Sequence, residues 1–244
     1  MTTDTPRVNY LDRVELWLGY EPFVLDLAQT EGVKDVAELG GGANPFVAGE
    51  KWDFAQHRVV IDISPDELAK APNNVETREA DLCRPISAGH NSYDLVFSKM
   101  LCEHLHDARV FHQNCFNLLR PGGLSVHFFP TLFTLPFFIN RLIPEKAGLS
   151  LINKIQPGRL ELGTLDKFPA YYRWCHGPTR RAVKRYESVG FEVADWSATF
   201  GHTYYQVIPP LDALEKSKTE FLFRHPIPAL TSFAVVVLRK PGRR

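Results

Sequence analysis

The segment VAELGGGANP, residues 36–45, decides the fold of this 244-residue chain. A short, largely apolar run from Val33 to Leu39 has the acidic Glu38 near its end and then breaks into three consecutive glycines. Inside a helix or strand each glycine costs about 0.5–1 kcal/mol relative to alanine, so three together indicate a sharp turn close to a ligand. Asn44 suits an N-cap and Pro45 the first helical position. The segment therefore predicts a strand, a glycine turn and a helix N-terminus, which open a nucleotide-binding α/β unit.

The residues around this turn discriminate between nucleotide ligands. A dinucleotide fingerprint has the form G-x-G-x-x-G. Gly40 and Gly42 fit its first two glycines, but Pro45 occupies the place of the third. Glu38 adds a carboxylate where an anionic pyrophosphate would lie. That charge disfavours NAD and favours a ligand with cationic groups, such as S-adenosylmethionine, whereas a plain tight turn is the alternative interpretation.

Composition narrows the class of protein. The chain is 44% hydrophobic, and its 28 basic and 28 acidic residues give a formal net charge of zero. We expect one domain over residues 1–244 and no nucleic-acid partner, because nucleic-acid binding normally needs a basic surface. Residues 1–7 are polar and no uncharged apolar run reaches 18 residues, so we expect a cytoplasmic protein without a signal peptide or membrane span. The four cysteines, which follow no pairing or C-x-x-C pattern, are expected to be buried thiols: Cys83, Cys102, Cys115 and Cys175.

A second apolar run, residues 58–63, ends in Asp62 and Ile63. Asp62 lies about 20 residues past the glycines, where a carboxylate in nucleotide-binding folds accepts hydrogen bonds from the ribose hydroxyls. A turn or cap role before Ser64 and Pro65 is the alternative. Residues 75–80 predict a weaker third strand, which Asp81 and Leu82 follow.

The order of three further motifs is more specific than the glycine turn. They are YDLV at residues 93–96, EHLHD at 103–107 and LLRPGGL at 118–124. Together with ELGGG at 38–42, this order resembles the class I S-adenosylmethionine-dependent methyltransferases, of the small-molecule type, from about residue 33 to residue 130. The resemblance implies an α/β fold, a Rossmann-like seven-stranded mostly parallel sheet with helices on both faces and a reversed last hairpin. It also implies an aspartate beside the adenine at position 81. The cofactor-binding residues expected on these grounds are Glu38, Gly40, Gly41, Gly42, Asp62, Ile63, Asp81, Leu82, Ser98 and Lys99.

The flanking segments complete the expected domain. Residues 8–31 predict N-terminal helices with Leu11, Val14 and Leu18 on one apolar face. Asp107 and Thr179 are expected to cap helices. Residues 191–196 and 232–238 predict the last two strands.

Two segments exceed what this fold needs, residues 130–178 and 200–228, and the second contains a predicted helix from 210 to 224. Connections this long are commonly lids or binding elements. We expect a helical and aromatic cap over the acceptor substrate, although a dimer interface or a helical hairpin that extends the core remains an alternative. The expected substrate-binding residues are Phe133, Tyr171, Tyr172, Arg173 and Tyr204.

Methyl transfer to a hydroxyl requires a base that takes the proton, whereas an amine or electron-rich carbon needs only positioning. Histidine suits this role because its pKa of about 6.5 is close to neutrality. His104 follows the fourth predicted strand and is the first candidate, and His176 and His202 come next. A Glu103–His104 metal site is rejected because Met100 stands where such sites carry another acid.

The sequence therefore predicts an S-adenosylmethionine-dependent enzyme that methylates a small molecule and releases S-adenosylhomocysteine. We expect O-methylation of an apolar, glycosyl or natural-product acceptor. N- or C-methylation, or a catalytically silent cofactor-binding regulatory protein, remains open, as does the choice between monomer and homodimer. An NAD-dependent oxidoreductase is disfavoured by Glu38 and Pro45.

Overall fold

One eight-stranded sheet organises the chain in the computed structural model, which describes residues 7–87, 89–134 and 169–242. Most of the first predicted cap segment, residues 135–168, lies outside the described residues. The strands are β1 (Val8–Tyr10), β2 (Asp35–Leu39), β3 (His57–Asp62), β4 (Glu76–Glu79), β5 (Tyr93–Lys99), β6 (Leu119–Pro130), β7 (Glu192–Thr199) and β8 (Phe233–Arg239).

Five α-helices of the described residues flank this sheet: α1 (Arg13–Thr30), α2 (Pro65–Leu68), α3 (Ala108–Leu118), α4 (Arg180–Glu187) and α5 (Pro209–Arg224). Two predicted N-caps are confirmed. The Asp107 carboxylate accepts a hydrogen bond from the Val110 N–H at 3.0 Å, and the Thr179 hydroxyl accepts one from the Ala182 N–H at 3.2 Å. Each cap satisfies a backbone donor that the first helical turn leaves without a partner.

The strand order β1-β7-β8-β6-β5-β2-β3-β4 confirms the Rossmann-like architecture and the reversed last hairpin. β8 runs antiparallel to both β6 and β7, and the other neighbouring strands are parallel. The chain moves outward from β2 through β3 to β4 and then returns to place β5 on the other side of β2. Ligands of open α/β sheets bind at such a reversal, beyond the carboxyl ends of the strands. The crevice between β2 and β5 is therefore where a ligand is expected.

The N-terminal prediction was partly wrong. Residues 8–10 are not helical but form β1, an eighth strand that pairs parallel with β7. One continuous helix, α1, then replaces the predicted pair and contains Pro22. Its buried positions are Leu16, Tyr20, Val24 and Ala28, whereas Val14 and Leu18 are exposed. The spacing of apolar residues by three and four positions correctly predicted a helix. It predicted the wrong buried face, because Val14 and Leu18 are apolar but exposed.

The helix predicted directly after the glycine turn is also absent. Pro45 is extended, and two short 3-10 turns follow, at Phe46–Ala48 and Glu50–Trp52. The Val47 N–H donates to the Glu38 carboxylate at 2.8 Å, so a side chain from β2 takes the place of a helical partner. Trp52 is fully buried against Phe97 of β5 and anchors this segment in the core.

Leu16 and Leu18, one buried and one exposed on α1, allow a test of which face of the helix packs on the sheet. Leu16 is 4% exposed and Leu18 is 69% exposed on the same helix. We expect Leu16→Ala to lower the free energy of unfolding by about 2–5 kcal/mol, because it leaves a cavity against the sheet. Leu18→Ala should change it by no more than about 0.5 kcal/mol. Urea denaturation followed by circular dichroism measures both values, and equal losses would contradict the observed face.

Candidate functional site

The crevice between β2 and β5 brings together residues from separate parts of the chain. Glu38 lies near the end of β2, Asp62 ends β3, and Lys99 ends β5. α1 covers the inner part of the crevice, since the Tyr20 hydroxyl donates to the Ser98 carbonyl at 2.7 Å. The strand ends and the N-terminal helix thus converge on the place that the strand order marks as a ligand site.

Glu38 supplies a carboxylate that is largely removed from water. The residue is 8% exposed, and its Oε2 accepts a hydrogen bond from the Val47 N–H at 2.8 Å. Burial raises the pKa of Glu38 to about 7, against the lowering effect of the Val47 and Phe46 N–H groups. Because burial penalises the ionised form, a bound cation beside this carboxylate would be strongly favoured.

The three glycines fit closely around their neighbours. Gly40 has a φ of +76°, which favours glycine, and a Cβ there would lie 2.8 Å from the Leu101 side chain. A Cβ on Gly41 would lie 3.1 Å from the Glu38 carboxyl carbon. The Gly40 N–H donates to the Ile61 carbonyl and the Gly42 N–H to Asp62 Oδ2, at 2.8 and 3.1 Å. These two donors are therefore already used, whereas a pyrophosphate-binding turn offers its N–H groups to the ligand.

Asp62 connects the glycine turn to the start of α2. One carboxylate oxygen accepts from the Gly42 N–H, and the other accepts from the Ser64 N–H at 2.9 Å. The alternative turn role is thus present in the structure. Each carboxylate oxygen can accept a second hydrogen bond, so ribose hydroxyls remain compatible with this geometry.

The donor set of the crevice fits S-adenosylmethionine better than a dinucleotide. Glu38 and Asp62 both offer carboxylate oxygens, which suit an ammonium or sulfonium group and a vicinal diol. The nearby cation, Lys99, is paired with Glu21 of α1 at 2.9 Å. Negative charge therefore prevails among the described side chains at this end of β2 and β3, and it would repel a pyrophosphate.

The other predicted cofactor residues differ in their exposure. Ile63 is 55% exposed at the end of β3, where its side chain is accessible to a ligand. The Asp81 carboxylate accepts from the Cys83 N–H at 2.9 Å and pairs with Arg84, while Leu82 is buried. Ser98 is fully buried, and its hydroxyl bonds to His127 at 2.8 Å. Ser98 is thus a support for the crevice through its backbone.

His104 lies in a 3-10 turn, Cys102–His104, that follows β5. Its Nδ1 is 3.1 Å from the Pro169 carbonyl, which fixes Nδ1 as the protonated nitrogen. Its Nε2 is 3.8 Å from Oε1 of Glu103. The neutral ring therefore keeps its basic nitrogen on the side of the glutamate.

Glu103 is a residue that the sequence analysis considered only for metal binding. It is 3% exposed, its Oε2 is buried without a hydrogen-bond partner among the described residues, and burial raises its pKa to about 8. A buried acid with a pKa near neutrality beside a histidine is typical of functional sites. The raised pKa depends on burial, which the letters E-H alone do not indicate.

The remaining candidate histidines lie elsewhere. His176 Nδ1 is 3.0 Å from an Arg185 guanidinium nitrogen and therefore accepts a hydrogen bond from it. The His202 side chain is buried, and its Nδ1 accepts from the Tyr204 N–H at 3.3 Å while Nε2 faces Glu215 at 3.5 Å. His202 follows β7, three strands from β5, which corresponds to about 14 Å across the sheet. The sheet does not bring His202 or Tyr204 next to His104.

Part of the predicted acceptor wall does contact His104. The backbone N–H groups of Tyr171 and Tyr172 donate to the Glu103 carbonyl at 2.7 and 3.0 Å. Tyr171 and Arg173 are exposed, whereas Tyr172 is buried in the core. Phe133 is 47% exposed and its ring contacts His176. Tyr171 and Tyr172 are therefore bonded through their backbone to the Cys102–His104 turn, Arg173 follows them in the same loop, and Phe133 contacts that loop at His176.

Comparisons with known proteins agree with this geometry. Residues 38–127 match the sequence profile of a family described as a methyltransferase domain. No curated protein matches the chain. An S-adenosylmethionine-dependent methyltransferase from Mesorhizobium loti is 18% identical, with a TM-score of 0.56 over 90% of this chain and 97% of that one. These matches show a class I methyltransferase fold.

Two further structures illustrate the range of proteins with this fold. The phosphoethanolamine N-methyltransferase 2 of Haemonchus contortus, solved with S-adenosyl-L-methionine, is 13% identical with a TM-score of 0.53, covering 93% of this chain and 56% of that one. The [4+2]-cyclase SpnF is 12% identical with a TM-score of 0.54, covering 99% and 89%. At such identities the likeness establishes the fold alone.

The raised pKa of Glu38 predicts a pH dependence of cofactor binding. A cationic ligand needs the ionised carboxylate, so affinity for S-adenosylmethionine should fall by up to about tenfold as the pH drops from 8 to 6 through the pKa of about 7. Isothermal titration calorimetry measures the affinity, and buffers of different ionisation enthalpy report the released proton. Glu38→Gln should bind more weakly and show a flat profile over pH 6–7.5. A wild-type profile as flat as that of the variant would contradict the role of Glu38.

Gly40 gives a second test of this site. Gly40→Ala places a side chain at a φ of +76° and 2.8 Å from Leu101, so we expect a stability loss of about 1–2 kcal/mol and weaker binding of S-adenosylhomocysteine. Gly19→Ala on α1, where a Cβ would have no atom within 4 Å, should leave binding unchanged. Thermal unfolding with and without the ligand compares the two variants. Unchanged binding by Gly40→Ala would show that the turn tolerates a side chain.

Proposed function

Given that this chain has the fold of a class I S-adenosylmethionine-dependent methyltransferase and carries a methyltransferase domain over residues 38–127, we propose that it methylates a small molecule at oxygen. The match to a methyltransferase domain over residues 38–127 supports the reaction class, and the site suggests the finer assignment. When bound, S-adenosylmethionine supplies a methyl group on a positively charged sulfur.

The observation that carries the proposal is the buried carboxylate of Glu38 beside the glycine turn. Its 8% exposure and its place near the end of β2 favour a cationic ligand at the reversal of the strand order. We assign to Asp62, at the end of β3, the role of accepting hydrogen bonds from the ribose hydroxyls. α1 borders the crevice from the other side, where Tyr20 donates to the Ser98 carbonyl and Glu21 pairs with Lys99.

His104 and Glu103 are the groups that we assign to proton transfer. The Pro169 carbonyl holds His104 with Nδ1 protonated, so Nε2 can take a proton from an acceptor hydroxyl. Glu103, 3.8 Å away, stabilises the resulting imidazolium when ionised. A base of this kind typically contributes about 10²–10⁴-fold to the rate. An amine acceptor would not need this pair, which is why we favour oxygen.

The described loop from Pro169 to His176 is the proposed acceptor wall. It is held against the Cys102–His104 turn by two backbone hydrogen bonds, and it exposes Tyr171 and Arg173. Aromatic surface and one guanidinium suit an apolar or glycosyl acceptor with a carboxylate or phosphate. His202 and Tyr204, three strands away, are assigned to the support of α5 and to the outer part of the cap.

The direct experiment is transfer of a labelled methyl group. The purified protein is incubated with methyl-labelled S-adenosylmethionine and a panel of phenols, glycosides, carboxylic acids and amines. Labelled ether or ester products with release of S-adenosylhomocysteine would support the proposal. Labelled amines alone would shift the assignment to nitrogen, and cofactor binding without any labelled product from the panel would favour a silent binding protein.

Substitution of His104 separates catalysis from cofactor binding. His104→Asn should lower kcat by about 10²-fold or more, because the basic Nε2 is lost, while the Kd for S-adenosylhomocysteine stays within about twofold. Glu103→Gln should lower kcat less and shift the pH–rate profile. His225→Asn, at an exposed position after α5, is the matched control. Normal turnover by His104→Asn would remove it as the base.

A further inference from the structure

Three side chains able to bind a metal ion meet in the core outside the Glu38 crevice. His112 and Cys115 lie three residues apart on α3, and therefore on one helical face, and His127 lies on β6. One ligand atom from each residue lies within 4.8 Å of the others, and all three residues are buried.

His112 supplies an independent sign that a ligand is needed here. The residue is 2% exposed, and its Nδ1 is buried without a hydrogen-bond partner in the part of the chain that the structure describes. Its ring stacks on Trp174 at 5.5 Å and packs edge-on against Tyr186 at 4.9 Å, so neighbours fix its position. Buried polar nitrogens nearly always have a partner, and a bound metal ion would provide one.

Ser125 shows that the other two ligands point to one place. Its hydroxyl oxygen is 2.6 Å from His127 Nε2, and it also hydrogen-bonds to the Cys115 thiol. The second nitrogen of His127 bonds to the Ser98 hydroxyl at 2.8 Å, which orients the ring. Metal-bound histidines are commonly oriented in this way by a hydrogen bond to the other ring nitrogen.

We propose that His112, Cys115 and His127 bind a structural Zn²⁺ ion, with the Ser125 hydroxyl within reach as a fourth ligand. Imidazole nitrogen and thiolate sulfur are both ligand atoms that Zn²⁺ takes in proteins, at about 2.0–2.1 Å for nitrogen and 2.3 Å for sulfur. The three ligand atoms lie within 4.8 Å of one another, so the side chains must move inward on the ion to reach these distances. Cys115 loses its thiol proton to solvent when the bond to zinc forms.

The ion would join α3 to β6 behind the strand that leads to Glu103 and His104. The role is structural and independent of methyl transfer. It departs from the expectation drawn from cysteine spacing, because a single cysteine and two histidines on separate elements form no sequence motif. Only the fold brings His127 next to the pair on α3.

The test measures zinc in protein that carries no histidine tag. The protein is unfolded with a chelator, refolded with or without Zn²⁺, desalted, and analysed by inductively coupled plasma mass spectrometry. We expect about one zinc per chain in the wild type and less than a fifth of that in Cys115→Ser and His112→Asn. His106→Asn is the control, because His106 belongs to a second, partly exposed group with Asp81 and Cys83.

Substitution with Co²⁺ reports a thiolate ligand and the coordination geometry in the wild-type protein, so it applies even if a variant fails to fold. The wild type should show the intense visible bands of tetrahedral Co²⁺ together with a near-ultraviolet thiolate charge-transfer band. Zinc should also raise the thermal midpoint of the wild type and of His106→Asn. A refolded wild type that retains no zinc, zinc that is lost in His106→Asn instead, or a Co²⁺ spectrum without the thiolate band would overturn the proposal.

Discussion

The burial of one carboxylate beside a bare backbone turn is the constraint on which the site depends. Glu38 cannot stay ionised in a nearly dry place without partners, and the Phe46 and Val47 N–H groups meet only part of that need. After the glycine turn the chain forms 3-10 turns and no regular helix, and the N–H groups of the first turn donate to the Glu38 carboxylate. A cationic group of the cofactor would offset the remaining cost of burying the ionised Glu38 carboxylate. The local structure and the preference for a cationic ligand therefore both follow from the burial of this carboxylate.

The strand order of the sheet places other candidate site residues next to the buried Glu38 carboxylate. β5 returns to the other side of β2, so the ends of both strands border one crevice, and the Cys102–His104 turn after β5 lies beside the glycines. Leu101 packs against the open face of Gly40. The loop after Pro169 then closes on the Glu103 carbonyl. The proposed cofactor residues of β2 and β3 and the proposed proton-transfer residues after β5 thus share one edge of the sheet.

Sequence reasoning was sound where periodicity or order carried the information. The motifs from residue 38 to 124 predicted the Rossmann-like sheet and the reversed last strand, and the caps at Asp107 and Thr179 followed from local chemistry. It failed where tertiary contacts decide. Val8–Tyr10 is a strand because β7 offers an edge, and the chain after Asn44–Pro45 forms 3-10 turns whose Val47 N–H donates to Glu38. The unpartnered oxygen of Glu103 and the His112–Cys115–His127 group depend on burial, which no spacing reveals.

The most direct test of the account is a crystal structure of the protein with S-adenosylhomocysteine. The account predicts the ligand in the crevice between β2 and β5, with its ammonium beside Glu38 and the glycine turn and its ribose hydroxyls within hydrogen-bond distance of Asp62. A ligand bound elsewhere, or a crevice that holds no ligand at saturating concentration, would contradict it.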